Sequence, residues 1–262
     1  MTLGVGIVTP RGVVIAADGL LTVSNVQVPV QKVFTVGQAY GIGLAGHDNM
    51  MDLTLKALRA STLAQDPPNS RTSTGATIAA RGALKAATDQ YLARVTWSDK
   101  QTIDSQIGSA ALLFGGLCSD GPFLAALDNR GNSYPLFQSH YHAIGNARDV
   151  ALVLMQAYAA YDYDAHPLDT SVLLAKRVVD QVSAAIPAIG GQVRILAIYQ
   201  QGGPDGQHLR MIDPNSAPVQ DGMTTWQELE TEMFANLAAG INPPANAGDQ
   251  GAAEAPGGGA AG

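Results

Sequence analysis

Apolar residues alternate with small ones at the start of the chain, a pattern typical of strands. The stretch 3–9 runs into a Pro-Arg-Gly turn, and an apolar stretch over 13–17 follows. This arrangement predicts two antiparallel strands joined by a tight turn. A second pair of strands, at 32–36 and 40–45, is predicted around a Gly-Gln turn.

From Asp48 the apolar spacing changes to the three-to-four-residue repeat of a helix, and two successive helices are predicted on either side of an Asp-Pro-Pro break. Further strands are predicted at 110–117, 123–127, 133–137, 141–144, 192–199 and 208–212, and further helices at 147–161 and 169–186. Pairs of strands therefore alternate with pairs of helices along the chain. This order predicts an α+β fold, a four-layer αββα sandwich in which helices flank two antiparallel sheets.

The C-terminal part differs in composition, so three segments are predicted. Residues 1–215 form the sandwich domain, and 216–240 form an extension in which Thr225 to Glu228 is a capping box that opens a short amphipathic helix. Residues 241–262 are rich in Ala, Gly and Pro and too poor in apolar bulk to fold, so a disordered tail that reaches a partner is expected.

Composition excludes several classes of protein. The 262 residues are 46% hydrophobic, enough for a two-sheet core, and the net charge of −7 with a pI of about 5.0 offers no basic patch for nucleic acid. No apolar run approaches the roughly 18 residues of a membrane span, and no secretory leader precedes the first strand. The single cysteine, Cys118, excludes an internal disulfide framework and is predicted to be buried. These features indicate a cytoplasmic protein.

Candidate chemistry begins at Thr2, directly behind Met1. Methionine aminopeptidases remove Met before a small residue, which would leave Thr2 with a free α-amine and a hydroxyl. An N-terminal amine can take the proton of its own residue's hydroxyl and activate it as a nucleophile. The first strand pair would return Asp18 to the side of Thr2. Gly46, between a strand end and a helix start, would present an unsatisfied N–H suited to an oxyanion hole.

In order and spacing, Thr2, Asp18, Lys32 and Ala45-Gly46 resemble a proteasome-type β subunit, an N-terminal-nucleophile (Ntn) hydrolase. The resemblance implies the Ntn-hydrolase sandwich and a threonine peptidase activity. It assigns nucleophilic attack to Thr2, proton balance to Lys32, orientation of Lys32 to Asp18 and oxyanion binding to Gly46.

The resemblance also places substrate-binding residues. Leu21 and Leu44 fall on positions that would form an apolar pocket wall, and Thr22 falls on the position that aligns the substrate. His47 adjoins Gly46 and is expected to edge the substrate cleft.

The second half of the chain departs from the family pattern. Asn146 stands in the turn before the third helix where the family has a serine-containing turn, and it accepts and donates hydrogen bonds without relaying a hydroxyl proton. Ile186 and Ile189 fall on a pair of positions that are Asp and Ser in the family, and Ile186 also continues an apolar helix stripe. A catalytically silent, structural subunit therefore stays open as an alternative.

The resemblance implies a peptide or unfolded-protein substrate, like subunits in a ring or in stacked rings, and an ATPase unfoldase as a further partner. No cofactor or metal is expected, because His140 and His142 have no third ligand at a plausible spacing and are predicted to lie on the surface or at an interface. A remote alternative is nucleotide binding through Gly41, Gly43 and Gly46, whose spacing matches a dinucleotide-binding loop.

Overall fold

The computed structural model describes residues 2–23, 26–94, 110–128, 133–134, 140–158, 168–200 and 208–241. Residues 135–137 of the strand predicted at 133–137 and the predicted tail beyond residue 241 lie outside these ranges.

Two five-stranded antiparallel sheets form the centre of the protein. The first has the order β10-β1-β2-β11-β12 and the second the order β5-β6-β7-β8-β9. The first sheet comprises β1 (Leu3–Thr9), β2 (Gly12–Ala17), β10 (Tyr141–Gly145), β11 (Arg194–Tyr199) and β12 (Leu209–Ile212). The second comprises β5 (Val33–Val36), β6 (Tyr40–Ala45), β7 (Ala111–Cys118), β8 (Gly121–Asp128) and β9 (Ser133–Tyr134).

Helices cover the outer face of each sheet. The helices are α1 (Asp48–Ala60), α2 (Ser73–Arg94), α3 (Arg148–Ala157), α4 (Leu168–Ala185) and α5 (Ala217–Ile241). Helices α1 and α2 share a buried core with the second sheet, and α3 and α4 share another with the first. A third cluster, which includes Ile15, Leu113 and Leu196, fills the space between the sheets. The predicted four-layer α+β sandwich is confirmed.

Close packing between the sheets explains two of the glycines in β6. A Cβ on Gly41 would lie 2.3 Å from the Leu196 side chain, and one on Gly43 would lie 3.0 Å from Ile15. Because β6 pairs antiparallel with both β5 and β7, it does not belong to the parallel βαβ unit that a dinucleotide-binding loop requires. The nucleotide-binding alternative is therefore wrong, and these glycines serve sheet packing.

A short hairpin that links β2 of the first sheet to β5 of the second was not predicted. Among the residues that the structure describes, strands β3 (Leu20–Val23) and β4 (Val26–Pro29) pair with each other and with no other strand. The sequence of β4 is Val-Gln-Val-Pro, an alternation of only four residues that ends in proline, and both its length and its proline weaken a strand prediction. Every residue of β4 is exposed. The hairpin begins two residues after Asp18 and therefore frames the site described below.

The predicted helix start in the C-terminal extension is wrong. Helix α5 begins at Ala217, with Pro218 in its first turn, where the missing proline N–H is tolerated. Thr225 lies inside the helix, where its hydroxyl donates to the Asp221 carbonyl. The capping-box pattern is thus an intrahelical sequence, and Trp226 packs edge-on against Tyr158 with a ring separation of 6.0 Å.

Within the described ranges, no helix combines the length and the apolar character needed to span a membrane. Cys118 is buried, as predicted.

Candidate active site

The β1–β2 hairpin holds Asp18 against the start of the chain. The Asp18 amide donates to the Leu3 carbonyl at 3.1 Å, and the Leu3 amide donates to Asp18 Oδ1 at 2.9 Å. Thr2, the residue before Leu3, is 3% exposed. The predicted return of Asp18 to the N-terminal end of β1 is therefore present in the structure.

Lys32 reaches the same carboxylate from the other sheet. Its Nζ donates to Asp18 Oδ1 at 2.8 Å, and both side chains are fully buried. Lys32 Nζ also donates to the Leu20 carbonyl, and the Leu20 amide donates to Asp18 Oδ2 at 3.3 Å. The Leu44 amide of β6 donates to the Lys32 carbonyl at 2.8 Å. The Asp18 carboxylate thus joins Lys32 to the peptide group that follows Thr2.

Burial lowers the pKa of Lys32, because a buried ammonium loses its hydration. The charge of Asp18 and its hydrogen bond act in the opposite direction and are the smaller influence. A lysine in this position gives up its proton more readily than an exposed one. The group can therefore take part in proton exchange as well as supply positive charge.

Gly46 occupies the predicted junction between β6 and α1. It follows Ala45, the last residue of β6, and its φ of 124° lies in the region that favours glycine. Its amide donates no hydrogen bond to any residue that the structure describes. An N–H directed away from the backbone ladder at a helix start is suited to bind an anion.

His47 directly follows Gly46 and is half-buried. Its carbonyl accepts from the Met51 amide at 3.0 Å in the first turn of α1, and its Nδ1 lies 2.8 Å from Asp48 Oδ1. The imidazole therefore lies at the N-terminal end of this helix, beside the free amide of Gly46.

The predicted substrate-binding residues lie on neighbouring strands. Leu44 is 2% exposed within the core beneath α1 and α2, and Leu21 is partly buried against the same cluster. Leu21 is thus the one of the two with exposed surface. Thr22 pairs with Gln27 in the β3–β4 hairpin, and its side chain lies outside the described part of the structure.

Gly145 is a site residue that sequence reasoning missed. It pairs with Leu3 across β1 and β10, has a φ of 94°, and would place a Cβ 2.1 Å from the Thr2 carbonyl oxygen. Asn146, the predicted network residue, follows it and is exposed. Position 145 therefore has to lack a side chain so that the backbone of Thr2 can pack against it.

The segment after α4 approaches the site through its backbone. The Gly19 amide donates to the Gly190 carbonyl at 2.8 Å, which ties this segment to the residue after Asp18. Ile189 is 2% exposed in the core, and Ile186 is partly buried against it, as its position on the apolar stripe predicts. Leu20 and Gly190 act through carbonyl groups, which leave no side-chain signal in a sequence.

The described residues contain no group of three or more His, Cys, Asp and Glu side chains that could hold a metal ion. The prediction that His142 lies on the surface or at an interface is wrong, because the chain itself buries it. It is 5% exposed on β10, its Nδ1 accepts from the Ala143 amide at 2.8 Å, and burial lowers its pKa. His140 is half-buried.

A family model described as proteasome subunit matches residues 2–198 of the chain. Similar solved structures include the Anbu ancestral beta-subunit from Yersinia bercovieri, at a TM-score of 0.67 and 16% identity over 89% of this chain and 96% of that one. The helical assembly of the Anbu complex from Pseudomonas aeruginosa gives a TM-score of 0.67 and 16% identity over 90% and 96%. Anbu from Hyphomicrobium sp. strain MC1 gives 0.64 and 16% over 89% and 97%. No curated protein sequence matches the chain. At this identity the likeness to solved structures is one of fold.

Proposed function

The chain belongs to the proteasome subunit family, and we propose that it is a threonine-type peptidase subunit whose nucleophile is Thr2 after removal of Met1. The observation that carries the proposal is the buried Asp18 carboxylate, which accepts from both Lys32 and the Leu3 amide at 2.8 and 2.9 Å. Two buried charges beside the second residue of a chain are costly to maintain, and acyl-transfer chemistry gives them a use.

The first step is attack of Thr2 Oγ on the carbonyl carbon of a substrate peptide bond. The hydroxyl proton passes to the α-amine of Thr2, and the amine returns a proton to the nitrogen of the leaving peptide as the C–N bond breaks. The product is an ester between Thr2 Oγ and the acyl part of the substrate. Water, deprotonated by the same amine, then hydrolyses the ester and regenerates the hydroxyl.

Lys32 and Asp18 adjust the proton balance of this step. The Lys32 ammonium lowers the cost of negative charge as the hydroxyl proton leaves, and its lowered pKa allows it to exchange a proton with its surroundings. Asp18 and the Leu20 carbonyl fix the position of Lys32 Nζ. Both are therefore positioning groups.

Gly46 and the neighbouring strands bind the substrate. The Gly46 amide stabilises the oxyanion of the tetrahedral intermediate, an interaction whose loss costs about 3–4 kcal/mol in other enzymes. Leu21, with Leu44 behind it in the same apolar cluster, favours an apolar residue on the acyl side of the scissile bond. Thr22 aligns the substrate backbone, and His47 edges the cleft.

Assembly of like subunits would enclose the nucleophile. The Anbu complex from Pseudomonas aeruginosa is described as a helical assembly, and we propose self-association of this chain into rings or stacked turns on that similarity of fold. Unfolded polypeptides would then be substrates, an ATPase unfoldase would be a partner, and the assembly would work in the cytoplasm.

A catalytically silent, structural subunit is the second candidate. It is favoured by the apolar side chains of Ile186 and Ile189, of which Ile189 is fixed in the core, and by the exposed position of Asn146. These residues supply no hydroxyl or carboxylate to the Thr2 network.

Hydrolysis of quenched peptides with an apolar residue before the scissile bond separates the two candidates. The peptidase proposal predicts turnover by the parent chain, retained turnover in Thr2→Ser and none in Thr2→Ala. Equal turnover in the parent and in Thr2→Ala would contradict it, and absence of turnover from all three in an assembled particle would favour the silent subunit.

A further inference from the structure

A cavity of about 360 Å³ lies between the β3–β4 hairpin and the segment that follows α4. The Gly19–Gly190 hydrogen bond holds its two sides together, and Gln27 Nε2 donates to the Pro187 carbonyl at 3.0 Å across the same gap. It is lined by Gly19, Leu20, Pro29, Val30, Gln31, Gly191, Gln192 and Arg194.

Strand β3 separates this cavity from the expected acyl-side pocket. Consecutive strand residues point to opposite faces. Leu21 packs with the cluster that contains Leu44, whereas Leu20 packs against Gly191, where an added Cβ would lie 2.8 Å from Leu20 Cγ. The two faces of β3 therefore differ: the Leu21 face adjoins an apolar cluster, and the Leu20 face adjoins the cavity.

Leu20 also joins the cavity to the Asp18–Lys32 pair. Its amide donates to Asp18 Oδ2 and its carbonyl accepts from Lys32 Nζ, while its side chain forms part of the cavity wall. The cavity therefore lies next to the groups that surround Thr2.

Arg194 gives the cavity its charge. It is the first residue of β11, is exposed, and makes no ion pair or hydrogen bond through its guanidinium with any residue that the structure describes. The other lining residues that the structure describes are uncharged, and Gln31 and Gln192 add amide groups. A guanidinium in a cavity whose described lining holds no carboxylate is complementary to a carboxylate.

We propose that this cavity binds a carboxylate-bearing side chain of the substrate on the leaving side of the scissile bond, with Arg194 as the residue that selects it. The inference rests on the proposed function. With this site, the enzyme selects its substrate on both sides of the scissile bond. It prefers an apolar residue before the bond and an acidic residue within the few residues after it.

The test uses quenched peptides that share one acyl part and carry Glu, or its uncharged isostere Gln, at each of the first four leaving-side positions. At one of these positions, kcat/KM for the Glu peptide is expected to be about fivefold higher than for the matching Gln peptide. This is the ratio expected for a partly exposed charge pair of roughly 1 kcal/mol. Arg194→Gln removes the preference. The matched control, Arg11→Gln, retains it, because Arg11 is an exposed arginine in the turn at the opposite end of β2.

Two readouts separate this inference from the proposed function. An epoxyketone probe occupies only the acyl side, so its rate of Thr2 labelling should be the same in Arg194→Gln and in the parent. Fluorescence anisotropy of the same peptide sequences, labelled with the fluorophore and without the quencher, measures the Glu preference of Thr2→Ala protein without turnover. Absence of labelling defeats the peptidase proposal alone. Equal binding and equal cleavage of Glu and Gln peptides at all four positions, or a preference that survives Arg194→Gln, overturns the inference.

Discussion

Lys32 Nζ lies 2.8 Å from Asp18 Oδ1, and neither side chain has any exposed surface. Replacing such a pair by apolar residues of similar volume is often neutral or stabilising, because desolvation offsets the attraction between the charges. The pair is therefore poorly explained as a device for stability. Asp18 also accepts a hydrogen bond from the Leu3 amide, so the charge pair lies next to Thr2, where the proposed function would use it.

Removing one member of the pair is expected to destabilise the fold. Lys32→Met leaves the Asp18 carboxylate buried without a counter-ion, and such a loss costs about 3–5 kcal/mol. Adding Asp18→Asn removes the orphaned charge, so the double variant should be more stable than Lys32→Met alone. Urea unfolding of the parent, the two single variants and the double variant measures this, and additive losses would contradict a direct pairing.

The stability of the parent should depend on pH in a way that Lys32→Met does not. Because burial lowers the pKa of Lys32, the unfolded chain holds the lysine proton more tightly than the native chain. Stability should then rise with pH between the lowered pKa and the ordinary value of 10.5. Urea unfolding of both proteins from about pH 7 upwards tests this, and parallel pH curves would refute it.

Gly145→Ala is expected to damage both the fold and the site. The added methyl would lie 2.1 Å from the Thr2 carbonyl oxygen at a φ of 94°, so we expect a loss of about 2–3 kcal/mol and a marked fall in Thr2 labelling. Gly82→Ala is the matched control. Gly82 lies in α2 with open space around it, so alanine there should stabilise by about 0.5–1 kcal/mol and leave labelling unchanged. Similar effects of the two substitutions would contradict the account of Gly145.

Replacing Asp120 is expected to change the stability of the fold without affecting the candidate active site. From the β7–β8 turn it accepts from the Ser73 amide at 2.8 Å and the Ser73 hydroxyl at 2.6 Å, and so caps α2 from a distant part of the chain. Asp120→Ala should lower the midpoint of thermal unfolding through the loss of about 1 kcal/mol of capping, with Thr2 labelling intact. Because the Ser73 hydroxyl bond lowers the pKa of Asp120, the difference from the parent should shrink as the pH falls through that pKa. A pH-independent difference would argue against the cap.

Sequence patterns predicted the sandwich because its buried strands and helices carry strong apolar periodicity. The β3–β4 hairpin was not predicted because each strand has only four residues and β4 ends in proline, which is too short a pattern to identify a strand. The alternating Val26 and Val28 do not belong to the core, since they are 62% and 45% exposed. The start of α5 was predicted wrongly because the capping-box sequence at Thr225 is a local pattern. Such a pattern does not show whether the residues before it are already helical, as Ala217 to Thr224 are.

The proximity of Asp18 and Lys32 was predictable because both side chains can be recognised in the sequence. Spacing and resemblance brought Asp18 and Lys32 to the same place, and the structure joins them. The Leu20 carbonyl, the Gly190 carbonyl and the space beside Gly145 could not be predicted, because each depends on backbone geometry set by distant strand pairing.

Intact mass spectrometry of the assembled protein, with and without an epoxyketone probe, decides whether processed Thr2 is the nucleophile. We expect a mass that lacks Met1 and one added probe per chain, mapped to Thr2 and absent from Thr2→Ala. Retained Met1, or an assembled particle whose Thr2 takes up no probe, would contradict the claim.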